Sequence, residues 1–253
     1  MTTNEQRCLL ASRCKLAGGS ACHSQCAHFV ALHGMSGTGG RSGAANLPRD
    51  YRLVNAQNSP ARASQAEVYR MVDAYIKTFE RQFDDNASRI KSLYLYSESP
   101  GTGKTTTACA ILNEWIVAHY LGSLKRGLQP LQVPAFLLDV NEWQTLYNEF
   151  NRANVPSDIA ERASREYYRQ MQSAKQAPFV VLDDIGVRTA TEGFRGDLHS
   201  VINARVTNGM PTIYTSNLAI EDMARIFDAR LYDRMRDMCV VLEFGGESRR
   251  GRR

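Results

Sequence analysis

Residues Pro100-Gly-Thr-Gly-Lys-Thr105 bring together the groups that handle phosphate. Gly101 and Gly103 can take left-handed backbone angles and let a ligand approach closely, so that several N–H groups converge on one anion. Lys104 would reach the β- and γ-phosphates of a nucleotide, and the Thr105 hydroxyl would ligate Mg²⁺. Pro100, Thr102 and Thr106 complete the cradle. The preceding run, Tyr94-Leu-Tyr-Ser97, is β-rich, and Ala108, Ile111, Leu112, Trp115 and Ile116 recur behind it at helical spacing. Phosphate binding needs that order, because a helix N-terminus presents unpaired N–H groups and the positive end of the helix dipole. One position departs from the usual pattern: Glu98 stands five residues before Gly103, where a first glycine is expected.

Two further runs end in polar groups suited to the same chemistry. Phe179-Val-Val-Leu-Asp-Asp184 is an apolar stretch closing on two carboxylates. Asp183 is suited to hold Mg²⁺ through water, and Asp184 to orient or deprotonate an attacking water. Aspartate at the second position is one methylene shorter than glutamate, which predicts slow hydrolysis. In Thr212-Ile-Tyr-Thr-Ser-Asn217, the Asn217 amide would position that water without adding charge. Alone, Asp-Asp or Ser-Asn after a strand is an ordinary turn. Behind a phosphate loop, each acquires a role.

A separate chemistry is suggested by Cys8-x5-Cys14-x7-Cys22-x3-Cys26. Four thiolates this close together can reach one tetrahedral Zn²⁺, the usual cytosolic use of such a group. His23 or His28 could replace a cysteine, and an iron–sulfur cluster, a redox pair or unligated thiols are the alternatives. Cys109 and Cys239 read as small core residues.

The remainder of the chain must position these groups. Its 253 residues, 43% hydrophobic with 9 Phe and 11 Tyr, suffice for one substantial core and exclude global disorder. No run of about 18 apolar residues exists to span a membrane. The start, Met1-Thr-Thr-Asn-Glu5, lacks a basic-then-apolar leader, so a cytoplasmic location is expected. The net charge of +5 is local: Arg249, Arg250, Arg252 and Arg253 account for four of 31 basic residues, leaving 27 against 26 acidic. Composition alone therefore does not indicate nucleic-acid binding.

Residues 1–50 hold the cysteine cluster, His23, His28, His33 and a glycine-rich run, with few large apolar side chains. Such a segment needs a staple beyond burial, which a metal would supply. Residues 51–89 contain a helical pattern (Val68, Met71, Val72, Tyr75, Ile76, Phe79) that Ser59 and Pro60 would start and Asp84-Asp-Asn86 would end. From 90 to 253, strands expected at 92–97, 135–140, 179–183, 212–215 and 240–244 alternate with helices near 104–121, 141–150, 157–176, 194–208 and 220–228. This predicts a three-layer α/β domain with a mostly parallel, five-stranded sheet.

The order of phosphate loop, Asp-Asp strand, Thr-Ser-Asn strand end and Arg230-Leu-Tyr-Asp-Arg-Met-Arg236 resembles an AAA+ P-loop ATPase. More narrowly it resembles the DnaC/DnaI clade of replicative helicase loaders, with a layout most like phage or prophage versions. The ATPase likeness covers about residues 90–250. It implies that Gly101, Gly103, Lys104 and Thr105 are Walker A and that Asp183 and Asp184 are Walker B. Asn217 would be sensor 1, and Arg234 an arginine finger entering a neighbouring copy's site, with Arg230 and Arg236 as competitors. Arg250 would be the sensor 2 residue, and the C-terminal lid of larger AAA+ proteins is expected to be absent. The resemblance further implies ATP, Mg²⁺ and Zn²⁺ as cofactors and self-assembly through the finger. It implies a DnaB-family helicase docked by residues 1–50, and single-stranded DNA in the central channel. Lys125, Arg126, Arg188, Arg195 and the arginine tail are candidate DNA contacts. The alternatives are a transposition-helper ATPase of the IstB type and a zinc-bearing adaptor whose site Glu98 makes degenerate.

Overall fold

A computed structural model describes residues 3–186, 188–227 and 229–248. Five strands, β1 (Ser92–Tyr96), β2 (Ala135–Asp139), β3 (Phe179–Asp183), β4 (Thr212–Ser216) and β5 (Cys239–Glu243), form one sheet in the order β2-β3-β4-β1-β5. Every pairing is parallel. Parallel neighbours require crossovers, and helices supply them. α4 (Lys104–Lys125) follows β1, α5 (Val140–Asn151) and α6 (Ser157–Gln176) follow β2, and α7 (Glu192–Thr207) follows β3. α8 (Met223–Ile226) and α9 (Ala229–Met238) lead from β4 to β5. Three shorter helices precede the sheet: α1 (Ala27–His33), α2 (Gly40–Ala44) and α3 (Ala66–Lys77).

Side chains alternate across the strands with period two, so the sheet separates two cores. Leu93, Leu95, Leu137, Phe179, Val181 and Ile213 face α4 and α3. Tyr94, Phe136, Leu138, Val180, Leu182 and Tyr214 face α5, α6, α7 and α9. The three-layer α/β domain expected from the strand–helix alternation is the one observed. α4 lies between the sheet and α3 and is apolar nearly all round, as a helix enclosed on both sides must be. Local signals set several boundaries. Asp139 caps α5 by accepting from the Asn141 and Glu142 amides, and the Thr191 hydroxyl accepts from Phe194 N at the start of α7.

Besides α9, a helix not among those expected, two regions differ from the sequence expectation. The helix expected from Ser59-Pro60 begins only at Ala66. The Ser59 hydroxyl is bonded instead by the Tyr69 Oη, and residues 59–65 run as turns against the phosphate loop. Residues 1–50 also find apolar partners despite their sparse large side chains. Leu9, Leu10, Leu32 and Leu47 are buried in the same core as α4. Arg13 pairs with the buried Glu114 of α4, and His28 Nδ1 lies 2.9 Å from Tyr120 Oη. Arg41 donates to the Ala31, Pro130 and Leu131 carbonyls. The Leu137 amide on the outer edge of β2 donates to the Ala45 carbonyl, and Asn46 Nδ2 donates to the Leu137 carbonyl. The segment thus covers part of an edge that would otherwise offer unpaired backbone groups.

Candidate nucleotide site

The groups singled out at the strand ends meet at the C-terminal edge of the sheet. β1 leads into the loop 97–103, whose glycines take the left-handed angles the cradle requires, φ +75° at Gly101 and +103° at Gly103. A Cβ on Gly103 would stand 2.7 Å from the Ala61 Cβ, so space as well as φ restricts that position to glycine. Lys104 is buried at the first turn of α4, with its Nζ 3.5 Å from the Ser97 carbonyl and 3.4 Å from that of Ser99. Thr102 is buried, and its hydroxyl has no hydrogen-bond partner among the described residues. A buried loop hydroxyl without a partner, beside two left-handed glycines and a buried lysine, fits a phosphate ligand. Pro100 is exposed at the loop tip, and Thr106 is buried on α4.

Glu98 is exposed and accepts a hydrogen bond from the Tyr96 hydroxyl at 3.3 Å. Its side chain is thus turned to Tyr96, and with glutamate in place of the first glycine Gly101 and Gly103 still take their left-handed angles.

The Thr105 hydroxyl lies 3.0 and 3.1 Å from the two carboxylate oxygens of Asp183, which is 6% exposed. A hydroxyl and a carboxylate brought together at a helix N-terminus form a hard-oxygen donor pair that fits Mg²⁺. Burial pushes the Asp183 carboxyl up to about 7; the Thr215 and Thr105 hydroxyls oppose this, and Asp184 and Asp139 add to it. Thr215, fully buried on β4, donates to Asp183 Oδ1 at 2.6 Å and accepts from the Asp184 amide at 2.8 Å. Asp184 is half-buried with φ +58°, a left-handed angle that carries it out of the strand direction. Asn217 follows immediately on the C-terminal end of β4, half-buried. The end of β4 is tied to the Asp-Asp turn, since the Ser216 hydroxyl donates to the Ile185 carbonyl at 2.8 Å.

Two supporting residues had no local signal. Gln65 Nε2 donates to the Thr102 carbonyl at 3.2 Å and to the Gly245 carbonyl at 2.8 Å. Thr215 reads in sequence as one more β-branched strand residue.

The other predicted residues lie apart. Arg230, Arg234 and Arg236 are exposed on α9, whose inner side buries Leu231 and Met235. Arg234 donates to Asn203 Oδ1 on α7 at 3.1 Å, and Arg236 pairs with Asp233. Arg250 and the arginine tail lie outside the described residues. Lys125 and Arg126 stand at the far end of α4 from Lys104, roughly 30 Å along a 22-residue helix. Arg126 stacks on Phe83 there. Arg188 donates to Asn141 O and Thr145 Oγ1.

Cys8, Cys14, Cys22 and Cys26 are all half-buried and line one small cavity, about 30 Å³, bordered also by His28 and Phe29. His23 does not border it. Burial raises the Cys8 thiol, and the other three cysteines lie near enough to raise it further. Among the described residues, however, no group of three or more His, Cys, Asp or Glu side chains stands close enough to hold a metal ion, so the four cysteines expected to bind zinc are not drawn together as a ligand set. Cys109 is buried, as expected of a core residue, whereas Cys239 is half-buried at the start of β5.

No family model matches the chain. Among curated proteins, the replicative helicase loader DnaI of Bacillus subtilis is 24% identical over 203 residues, covering 74% of this chain and 55% of that protein. The loader DnaC of Escherichia coli is 22% identical over 160 residues, covering 63% of this chain and 55% of that one. Among solved structures, DnaI aligns with a TM-score of 0.55 at 20% identity, over 83% of this chain and all of that chain. The DnaC helicase loader aligns at 0.53 and 19%, over 78% of this chain and all of that one. The chain is similar to the replicative helicase loaders DnaI and DnaC and shares their AAA+ fold. Its likeness extends to the wider AAA+ fold: the initiator DnaA bound to AMPPCP and single-stranded DNA aligns at 0.52 and 16%, over 80% of this chain and 52% of that one. The chain spans about half the length of the curated clade members it matches.

Proposed function

We propose that this protein is an ATP-dependent loader that places a hexameric, DnaB-family replicative helicase on single-stranded DNA, in the manner of a phage or prophage protein. The observation that carries the nucleotide part is the meeting of Thr105 and Asp183 beside the buried Lys104 and two left-handed glycines. The helicase part is supported by the likeness to proteins named as replicative helicase loaders.

In this reading Gly101, Thr102, Gly103 and Lys104 hold the phosphates, and Thr105 and Asp183 hold Mg²⁺, which supplies charge neutralisation for phosphoryl transfer. Asp184 and Asn217 orient the attacking water. Arg234 is the finger offered to a neighbouring copy, supported by its exposed position on α9, where it reaches Asn203 of α7. Arg250 acts as the sensor of bound nucleotide. For DNA, the open cleft between α7 and α8, lined by Arg195, His199 and Arg225 over Ile226 and Phe227, supports Arg195 as a backbone contact. The four cysteines, which border one cavity without being drawn together as a ligand set, are the ones a structural Zn²⁺ would have to gather, and residues 1–50 carry the helicase-docking surface. The absence of any helix long and apolar enough to cross a membrane among the described residues suits a cytoplasmic replication protein.

Lys104→Ala tests the nucleotide site most directly. Affinity for a fluorescent ATP analogue should be lost; unchanged affinity would overturn the assignment.

A further inference from the structure

We infer that Gln65 is a positioning residue that aims the Gly103 amide at the nucleotide phosphates and couples the phosphate loop to the turn after β5. The inference rests on the phosphate-loop assignment above and adds to it a residue outside the motif.

Gln65 occupies the N-cap position of α3 but makes no side-chain cap. Its side chain turns away from its own helix, is 8% exposed, and spends both amide hydrogens elsewhere. One goes to the Thr102 carbonyl, at 3.2 Å, and the other to the Gly245 carbonyl, at 2.8 Å. Two carbonyl acceptors on one nitrogen also settle which end of the amide points inward, since a carbonyl oxygen there would face two others.

The consequence follows from peptide geometry. The Thr102 carbonyl and the Gly103 N–H belong to one planar trans unit and point in opposite directions. Anchoring the carbonyl on the α3 side therefore fixes the N–H on the other side, where a phosphate-binding loop must present its donors. Gly103 has little intrinsic resistance to rotation of that plane, because glycine occupies either sign of φ. A loop freed by glycine for close approach needs an external hold, and Gln65 supplies it. Ala61 adds a steric stop, since its Cβ lies 2.7 Å from where a Gly103 Cβ would be. The Tyr69 hydroxyl ties the next turn by lying 3.1 Å from Thr107 Oγ1. The second acceptor, Gly245, begins the stretch that leads to Arg250, so the loop and that stretch share one donor.

Gln65→Met keeps the length and apolar bulk and removes both hydrogens. Binding of ATP and of inorganic tripolyphosphate should each weaken by roughly five- to tenfold, the effect of about one to two hydrogen bonds. Equal loss for the two ligands marks an effect at the phosphates, because tripolyphosphate has no base or ribose. Gln65→Lys, which restores a donor within reach of the carbonyls, should recover part of the affinity for both, which a purely structural defect would not do. If Gln65→Met does not fold, the Gln65→Lys pair of affinities decides: a change confined to ATP overturns the inference. Wild-type affinity for both ligands in Gln65→Met also overturns it. Should Lys104→Ala abolish binding in the same assay, only the role of Gln65 falls and the phosphate-loop reading stands.

Discussion

Replacing Thr215 by valine would show how Asp183, the carboxylate proposed to hold Mg²⁺, is itself held. The exchange keeps the shape of a fully buried side chain and removes one hydroxyl, which donates to Asp183 and accepts from the Asp184 amide. A hydrogen bond to a charged group contributes ~1.5–3 kcal/mol, one to a neutral group ~0.5–1.5 kcal/mol, and an amide left without its acceptor costs ~1–3 kcal/mol. The expected loss in urea unfolding at pH 8 is about 3 kcal/mol. The Asp183 share depends on pH. Because burial raises its pKa to about 7, against about 3.9 for an ordinary aspartate, the folded protein binds a proton that the unfolded chain releases over that interval. Its contribution to stability therefore falls as pH rises through that window. The Thr215 bond favours the carboxylate and opposes this fall. Without it the folded-state pKa climbs further, so the deficit of the variant is larger at pH 8 than at pH 5, by ~1 kcal/mol. Mg²⁺ needs the ionised form, so the pH midpoint for Mg²⁺-dependent nucleotide binding should move up by about one pH unit. Urea melts at the two pH values and Mg²⁺ titrations of nucleotide binding supply both readings. An equal deficit at pH 5 and pH 8 together with an unchanged Mg²⁺ requirement would mean that the Thr215 hydroxyl does not tune Asp183.

Arg234→Ala should leave nucleotide binding by the isolated chain intact and lower turnover of the assembled protein by about 10³-fold; wild-type turnover would transfer the finger to Arg230 or Arg236. Elemental analysis should find about one zinc per chain, lost in a Cys14→Ser, Cys22→Ser double variant. A metal-free protein with residues 1–50 folded would remove the zinc site. Deleting residues 1–50 should abolish co-purification with the host replicative helicase, but the exposed α4 core is expected to lower stability as well. Binding by a folded deletion variant would therefore contradict the docking role.

Much of the framework was legible because it depends on local pattern. The run Phe179–Asp183 has the bounds expected of it, since an unbroken apolar stretch of this length suits a buried parallel strand and the left-handed angle of Asp184 ends it. The two glycines and Lys104-Thr105 announced the loop by type and spacing alone, because the phosphate requirement is met by consecutive residues. α9 was less legible: Leu231 and Met235 are well phased at four-residue spacing, but two buried residues among so many charged ones make too short a stripe to stand out, and the helix forms because α7 and α8 offer it a surface. Ser59-Pro60 carried a sound helix-start signal that lost to tertiary contacts, with Tyr69 taking the serine hydroxyl and Ala61 packing on Gly103.

The strand–helix alternation and the residues proposed to touch nucleotide are written in short-range spacing, and so could be read without the fold. Tertiary structure alone decided what holds those residues in place. Thr215 acts on a carboxylate 32 positions away, and Gln65 on carbonyls 37 and 180 positions away. Tertiary structure also decided that the cysteine segment rests on α4 and the edge of β2. Such partners leave no periodic trace, since a single hydrogen bond or a single buried leucine is specified by the folded surface opposite it.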